Sequence, residues 1–276
     1  MRITPKHLAI GLLYLVLICG ALFALVPFAW MASTSLKTLP EVARWPIQWI
    51  PSDPQWQNYI AVFSHVPFLQ FYANTVFVTL LRTLGLLITS CMAGYAFARL
   101  RFPGRDVIFL FYLGTMMVPG QVTVIPRFIA MRWLHWIDTY QALIVPGMFS
   151  AFGVFLMRQF FMGIPRSLDD AAILDGASHL DIFWRVCLPL SKPAIATLVI
   201  FAFVGSWNDF MWPLVVINSV EKLVLSVGLS YFQDLYYTEW TLLMAASVMT
   251  MVPVLLVYVL AQRYFVQGIA LTGTKG

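Results

Sequence analysis

The sequence predicts an all-α integral membrane protein with six transmembrane helices and one acidic, amphipathic segment outside the bilayer. Of its 276 residues, 61% are hydrophobic and only 11% are charged, whereas a soluble domain usually carries about 25% charged residues. Long uncharged runs recur along the chain, and about 20 apolar residues are enough for a helix to cross a bilayer. A single transmembrane domain over residues 1–276 is therefore expected.

The six predicted spans are residues 8–32, 72–98, 107–131, 141–162, 193–217 and 241–262. The first run is longer than the apolar region of a signal peptide, which favours a retained anchor even though "AWMAS" resembles a cleavage site. Pro119 and Pro126 interrupt the third span, so it is expected to be bent or broken.

Basic residues predict the orientation of these spans. Eleven lie on the side of the N-terminus (Arg2, Lys6, Arg99, Arg101, Arg105, Arg158, Arg166, Arg185, Lys192, Arg263 and Lys275) and five on the other (Lys37, Arg44, Arg127, Arg132 and Lys222). Because cytoplasmic loops carry the excess of Lys and Arg, both termini and the loop 163–192 are predicted to be cytoplasmic in a cell (inner or plasma) membrane. The external segment 33–71 is rich in tryptophan and proline, as expected along the membrane interface. The basic residues are spread along the chain, which argues against a nucleic-acid partner.

Acidic residues concentrate in the loop 163–192, where four of the chain's twelve fall within residues 169–181. Ser167-x-x-Asp170 and Ser178-x-x-Asp181 each have the form of a capping box, with aspartate in place of glutamate, and so predict two helix starts. Gly176 lies between them, where a chain leaving a helix often needs positive φ. The pattern predicts a helix, a glycine turn and a second helix.

The second helix, ending near Pro189, carries one apolar stripe at helical spacing: Leu180, Phe183, Trp184, Cys187 and Leu188. Such a helix can lie on lipid, pack against its own spans, or enter the groove of a partner protein. Surface-lying helices favour Lys and Arg, so the acidic composition disfavours lipid. A partner's groove is the preferred interpretation, and the small residues Ala171 and Ala172 would let a partner approach the first helix closely.

Several segments resemble a known family. Asp170-Ala171-Ala172, Asp175-Gly176-Ala177, Phe183 and Leu188-Pro189 resemble the "EAA" cytoplasmic loop of the membrane subunits of ABC importers. "MMVPGQVTVIP" at 116–126, "SWNDFMWPL" at 206–214 and "YFVQGIALTGTKG" at 264–276 resemble recurring segments of its carbohydrate (maltose-type, type I) branch. The resemblance covers nearly the whole chain. Two departures are Asp170 in place of glutamate and "ALTGTKG" where the family more often reads like "TAGAVKG".

The resemblance implies a permease subunit of an ATP-driven sugar importer. In this family the loop forms a coupling helix that docks in a cleft of an ATPase subunit, which would assign ATPase coupling to Asp170, Ala171, Ala172, Asp175, Gly176, Ala177, Leu180, Phe183 and Pro189. It also implies three kinds of partner: a second, similar permease chain, two cytoplasmic ATPase subunits, and an external solute-binding protein. ATP and Mg would bind to the ATPase subunits, and no cofactor is expected on this chain.

Polar residues in the predicted spans provide a second candidate site. Arg82 and Asp209 each lie seventeen residues from a basic residue at the cytoplasmic boundary, about 25 Å along a helix. They either pair at this depth or reach the outer interface separately. Gln121, Trp207, Asn208 and Asp209 are candidates for a sugar path, the alternative being ordinary helix packing.

Other functional classes find little support in the sequence. "GIALTGTKG" is not a phosphate loop, because Thr274 precedes Lys275 and no hydroxyl residue follows the lysine. The four histidines are far apart, the three cysteines (Cys19, Cys91 and Cys187) lack metal-ligand spacing, and no nucleophile–base set appears, so neither a catalytic nor a metal site is predicted. A self-contained secondary transporter is the main alternative, but it would be expected to show inverted repeats and acids in mid-span.

Overall fold

The computed structural model describes residues 5–234 and 237–273, and within those ranges it is helical, without strands. The α-helices are α1 (Pro5–Ser35), α2 (Leu39–Val42), α3 (Gln57–His65), α4 (Phe68–Arg99), α5 (Arg105–Gly114), α6 (Val124–Trp133), α7 (Tyr140–Ile144), α8 (Ala151–Gly163), α9 (Arg166–Leu174), α10 (His179–Asp181), α11 (Leu188–Leu190), α12 (Lys192–Trp207), α13 (Met211–Val216), α14 (Leu225–Gly228) and α15 (Trp240–Gly273). The side chains of the tail segment 264–276 lie outside this description, as do those of Arg2 and Lys6.

Short irregular helices connect several of these elements. They are 3₁₀ segments at Thr115–Met117, Val145–Met148, Val220–Lys222 and Leu229–Phe232, and a π-helix at Ile182–Cys187. The chain divides into two compact units, one formed by residues 1–68 and 228–251 and the other by residues 69–227 and 252–276.

Four helical stretches are long and apolar enough to cross a membrane: Ile10–Ser35, Phe68–Arg99, Tyr140–Gly163 and Trp240–Leu260. A fifth becomes possible if His179–Leu190 and Lys192–Trp207, which meet at 78°, are counted together. Helices suit these runs because a bilayer core offers no water to the backbone, so every amide must be satisfied within the segment. The all-α membrane fold class is thus confirmed.

The predicted third span, 107–131, is broken, as its two prolines led us to expect. It forms two ten-residue helices, α5 and α6, separated by the turn that contains Pro119. Proline has no N–H to donate and its ring blocks the preceding turn, whereas Pro126 is tolerated because it lies in the first turn of α6. The described residues therefore do not form six unbroken spans.

The predicted fifth span, 193–217, is also interrupted. Helix α12 ends at Trp207 and α13 starts at Met211, and the carboxylate of Asp209 accepts a hydrogen bond from the Trp212 N–H at 3.4 Å. The Asp209 carboxylate thus accepts a hydrogen bond from an N–H group at the start of α13 that has no acceptor within the helix, which stabilises the break.

In the first unit, hydrogen bonds join the start of the predicted interfacial segment 33–71 to residues farther along it. The Lys37 side chain is buried, its ammonium donates to the Gln48 carbonyl, and it lies 4.2 Å from the centre of the Trp30 ring. The Asn58 amide donates to the carbonyls of Ser35 and Lys37 at 2.9 Å each. These bonds fix the end of α1 to the start of α3.

The second unit contains the buried cluster that supports the loop 163–192. Its members come from α4, α8, the loop and α12: Cys91, Tyr95, Ala98, Met157, Phe161, Ile164, Ile182, Phe183, Cys187, Ala194 and Leu198. Helices α4 and α8 approach closely at Gly94, where an added Cβ would lie 2.7 Å from that of Met157. The loop therefore rests on a packed platform built by three helices.

Candidate functional site

Helix α9 is anchored to α4 by charge. The Arg99 guanidinium, 4% exposed, lies 3.3 Å from the Asp169 carboxylate and donates to the Ile164 carbonyl at 2.8 Å. The predicted capping box at Ser167 is wrong, because α9 begins earlier, at Arg166, with Pro165 before it. Proline suits a helix start through its fixed φ. Asp170 is exposed, and it is its neighbour Asp169 that points inward.

The predicted glycine turn is confirmed. Gly176 has φ of +82°, its N–H donates to the Ile173 carbonyl at 3.0 Å, and the Ala177 N–H donates to the Ala172 carbonyl at 2.9 Å. This pair of bonds is a Schellman motif, in which a residue without a Cβ is favoured at the left-handed position. Ala172 and Ala177 pack against the buried cluster, which seats the turn.

The second predicted capping box is also confirmed. The Ser178 hydroxyl accepts a hydrogen bond from the Asp181 N–H at 3.2 Å, and the Asp181 carboxylate accepts one from the Ser178 N–H at 3.1 Å. The carbonyl of His179 accepts a hydrogen bond from the Tyr95 hydroxyl at 3.0 Å. The start of this helix is therefore fixed both locally and to α4.

The predicted single apolar stripe is split between two faces. Ile182, Phe183 and Cys187 are buried, whereas Leu180 is 69% exposed and Trp184 is 61% exposed. The π-helix over 182–187 explains this, because its wider turn breaks the 3.6-residue spacing from which the stripe was derived.

Phe183 belongs to the buried face. Its ring centre lies 5.1 Å from that of Tyr95 and 6.5 Å from that of Phe161. Phe183, which the resemblance assigns to ATPase coupling, is only 7% exposed and packs inside this chain, where it braces the loop.

The outer face of the loop presents apolar side chains among acids. Leu168, Ile173, Leu174, Leu180 and Trp184 are exposed large hydrophobics. Asp170, Ala171, Asp175, Gly176 and Pro189 are exposed beside them. We call these ten residues the outer loop face. Large exposed apolar side chains outside the predicted spans are typical of a surface that contacts another molecule.

Arg82 and Asp209 form an ion pair, with Nη1 and Oδ2 2.7 Å apart. Gly147 makes room for it, because a Cβ there would collide with the Arg82 side chain. The Ser226 hydroxyl donates to the Asp209 carbonyl at 2.7 Å, so the residue is held through both backbone and side chain. Arg127, which the sequence analysis assigned to the external side, stacks 4.2 Å from the centre of the Trp212 ring.

The predicted sugar-path residues differ in their exposure. Gln121 is exposed in the turn before α6, and Asn208 is exposed at the end of α12. Trp207 is 2% exposed, stacked on Phe203 at 5.4 Å and edge-on to Tyr72 at 5.8 Å. Its indole packs against these two rings, which favours the helix-packing alternative for Trp207.

Asp138 was missed by the sequence analysis and joins two loops. Its carboxylate accepts hydrogen bonds from the N–H groups of Asn218 and Ser219 at 3.0 and 2.9 Å, from the Ser219 hydroxyl, and from the Lys222 ammonium at 3.3 Å. Partial burial raises the pKa of Asp138, but hydrogen bonds from Ser219, Asn218 and Lys222 outweigh this and hold the pKa well below its usual range. No motif marks such a loop aspartate in the sequence.

No group of three or more His, Cys, Asp or Glu side chains comes together as a metal site within the part of the chain that the structure describes. What the fold and the loop define is a multi-pass membrane protein with an exposed, internally braced helix–turn–helix.

Comparison with known proteins places this class in a family. Residues 85–271 match the family described as binding-protein-dependent transport system inner membrane component. The chain belongs to this family, which confirms the resemblance drawn from the EAA-type loop.

Relatives cover almost the full length of the chain. It is 34% identical over 93% of both chains to the arabinooligosaccharides transport system permease protein AraQ of Halalkalibacterium halodurans. It is also 34% identical, over 93% of this chain and 94% of the relative, to the sn-glycerol-3-phosphate transport system permease protein UgpE of Pectobacterium atrosepticum. A crystal structure of a bacterial ABC transporter involved in alginate import superposes with a TM-score of 0.85 at 31% identity, covering 96% of this chain and 99% of that one.

Proposed function

We propose that this chain is the permease subunit of an ATP-driven, binding-protein-dependent importer for a sugar or sugar derivative. Its family, the names of its relatives and the alginate importer of like fold support this assignment. The relatives handle an oligosaccharide, a phosphorylated polyol and an acidic polysaccharide, so the class of cargo is a carbohydrate or a polyol derivative.

The loop 163–192 supports the proposal most directly. Its inner side is bonded to α4 through Arg99 and Tyr95 and packed through Phe183. Its outer loop face presents five large apolar side chains and two aspartates, which no other described part of the chain covers. A segment built this way can receive a push from a partner and pass it to the spans.

The partners follow from this role. One of two cytoplasmic ATPase subunits would bind the outer loop face of this chain, and a second permease chain would bind the other subunit and complete the translocation path. A solute-binding protein would deliver cargo on the other side, with both termini of this chain in the cytoplasm. Hydrolysis of ATP takes place on the ATPase subunits, with their Mg, and this chain contributes movement rather than catalysis.

The mechanism is alternating access. Closure of the ATPase pair draws the two coupling loops together, and the spans that brace them tilt, so that the path opens toward the binding protein. The braced loop makes this transfer efficient, because a loosely tethered loop would absorb the displacement by bending.

Docking can be tested with Leu180→Asp in the coexpressed complex. This change places a charge in the apolar part of the outer loop face, so we expect the ATPase subunits to be lost on purification while the chain still inserts in the membrane. Trp133→Asp, at another exposed apolar position on α6, is the matched control and should retain them. Normal retention with Leu180→Asp would contradict docking through this face.

Transport itself is tested in proteoliposomes containing the assembled complex and the binding protein. Uptake should require internal ATP and persist without an ion gradient. Uptake driven by an ion gradient in the absence of ATP would favour the secondary-transporter alternative.

A further inference from the structure

A cavity of about 540 Å³ lies beside the loop in the second unit. It is lined by Arg101, Phe102, Gly104, Arg105, Asp106, Val107 and Arg166. A smaller cavity of about 120 Å³ shares Arg105 and Arg166 and adds Arg99 and Arg158 to its walls. Five arginines thus converge on one region, which we call the arginine cavity.

The charge in the arginine cavity is only partly balanced. Asp106, the one acid lining it among the described residues, lies 3.0 Å from the Arg105 guanidinium and 3.6 Å from that of Arg158. Arg101 and Arg166 have no carboxylate within 4.0 Å in the part of the chain that the structure describes. The larger cavity therefore carries three arginines against one aspartate, a net charge of +2.

Two helices also begin at this cavity. Helix α5 starts at Arg105, directly after Gly104 with φ of +74°, and α9 starts at Arg166. Neither N-cap residue, Gly104 or Pro165, provides a side-chain hydrogen bond, while Asp106 and Asp169 in the first turns offset part of each helix dipole. The free N–H groups of these two helix starts add hydrogen-bond donors for an anion to those of the arginines.

Membrane orientation alone would explain an excess of arginines on the cytoplasmic side. It does not explain why these arginines line one cavity together with two helix starts. Planar guanidinium groups match the oxygens of a phosphate in a two-point contact, and the exposed apolar walls at Phe102 and Val107 suit the part of a ligand that lies next to the phosphate.

We propose that the arginine cavity binds a phosphate group, supplied either by the headgroup of an anionic phospholipid of the cytoplasmic leaflet or by free phosphate. Arg101 and Arg166 contact the phosphate oxygens, and Arg105 remains paired with Asp106 at the rim. Because Arg166 is the first residue of α9, an occupied cavity fixes the start of the coupling loop. This site is separate from the outer loop face, so its failure leaves the proposed function intact.

Native mass spectrometry of the assembled complex tests the site. The complex is reconstituted in nanodiscs of phosphatidylcholine with or without phosphatidylglycerol, and the retained lipid is counted. We expect Arg101→Gln to weaken phosphatidylglycerol retention by about tenfold or more, since a charge-assisted contact contributes about 1.5–3 kcal/mol. Arg101→Lys, which keeps the charge but not the planar fork, should give an intermediate loss.

Lys192→Gln is the matched control, because it removes a charge from an exposed position on the same predicted side that does not line the cavity. Its lipid retention should equal that of the unaltered chain. Equal losses in Arg101→Gln and Lys192→Gln would show only general attraction to the leaflet and would overturn the proposal, as would full retention in Arg101→Gln.

Inorganic phosphate separates the two sources. If it displaces phosphatidylglycerol in the unaltered chain, the cavity takes the phosphate of a lipid headgroup. If no lipid is retained but phosphate raises the thermal stability of the unaltered chain and not of Arg101→Gln, free phosphate is the ligand. An absence of both effects would refute the site, and Arg166→Gln, measured in parallel, provides a second exposed variant of the same cavity.

Discussion

The two faces of the loop 163–192 should respond differently to the same kind of truncation. Phe183→Ala removes a ring that is 7% exposed and lies against Tyr95 and Phe161. Truncating a buried phenylalanine costs about 3–5 kcal/mol, including the cavity that is left. Leu180→Ala removes a side chain that is 69% exposed, and such changes usually stay within about 0.5 kcal/mol of the original stability.

The binding result should run the other way. Leu180→Ala should weaken ATPase binding by about 1–2 kcal/mol, as expected for a central apolar contact, or roughly five- to thirtyfold in the dissociation constant. Phe183→Ala should lower the thermal unfolding midpoint of the purified chain. The fraction of chain that remains folded should still bind the ATPase subunit with unchanged affinity.

Thermal unfolding of the detergent-purified chain and titration with its ATPase subunit provide the two readouts. Trp133→Ala, on an exposed site outside the loop, is the control that should change neither. If Leu180→Ala destabilised the chain as much as Phe183→Ala, the division of the loop into an inner and an outer face would be refuted.

Three further results are expected. Gly176→Ala should cost about 1–2 kcal/mol in thermal unfolding, because φ is +82° there, and Gly176→Asn should cost less; equal stability of all three would contradict the left-handed turn. Exchanging the charges of Arg82 and Asp209, which are 22% and 18% exposed, should recover uptake lost in either single change, with a coupling of about 0.5–3 kcal/mol; no recovery would show that the pair itself is unimportant. Because folding holds the pKa of Asp138 low, its contribution to stability is present above about pH 4 and is lost as the pH falls below that value; an unchanged acid unfolding curve in Asp138→Asn would refute this.

Local signals in the sequence predicted some features well. The Ser178 capping box and the positive φ of Gly176 depend on bonds within a few residues, so they could be found from the sequence. The long apolar runs likewise identified the protein as a membrane protein. Helix α1, for example, can be predicted from its own composition without knowledge of its tertiary contacts.

Other features depend on residues that are distant in the chain. The π-helix at 182–187 breaks the regular spacing, and the burial of Phe183 follows from Tyr95 and Phe161 on other helices. The sequence left two alternatives for Trp207, a sugar path or helix packing, because whether an indole in a span faces a path or a neighbouring ring depends on distant residues. The bonds of Asp138 to a loop eighty residues away leave no local pattern either.

Helix α4 carries one pair of attachments at its C-terminal end and another attachment near its middle. Tyr95 and Arg99, one turn apart, hold the loop 163–192, and Arg82 binds Asp209 farther along the same helix. At 1.5 Å per residue, Arg82 lies about 25 Å from Arg99, so a tilt of about 5° moves its guanidinium by about 2 Å. A displacement of that size exceeds the tolerance of a hydrogen-bonded ion pair. We therefore expect the Arg82–Asp209 ion pair to form in one tilt of α4 and to break when the helix tilts to its other position.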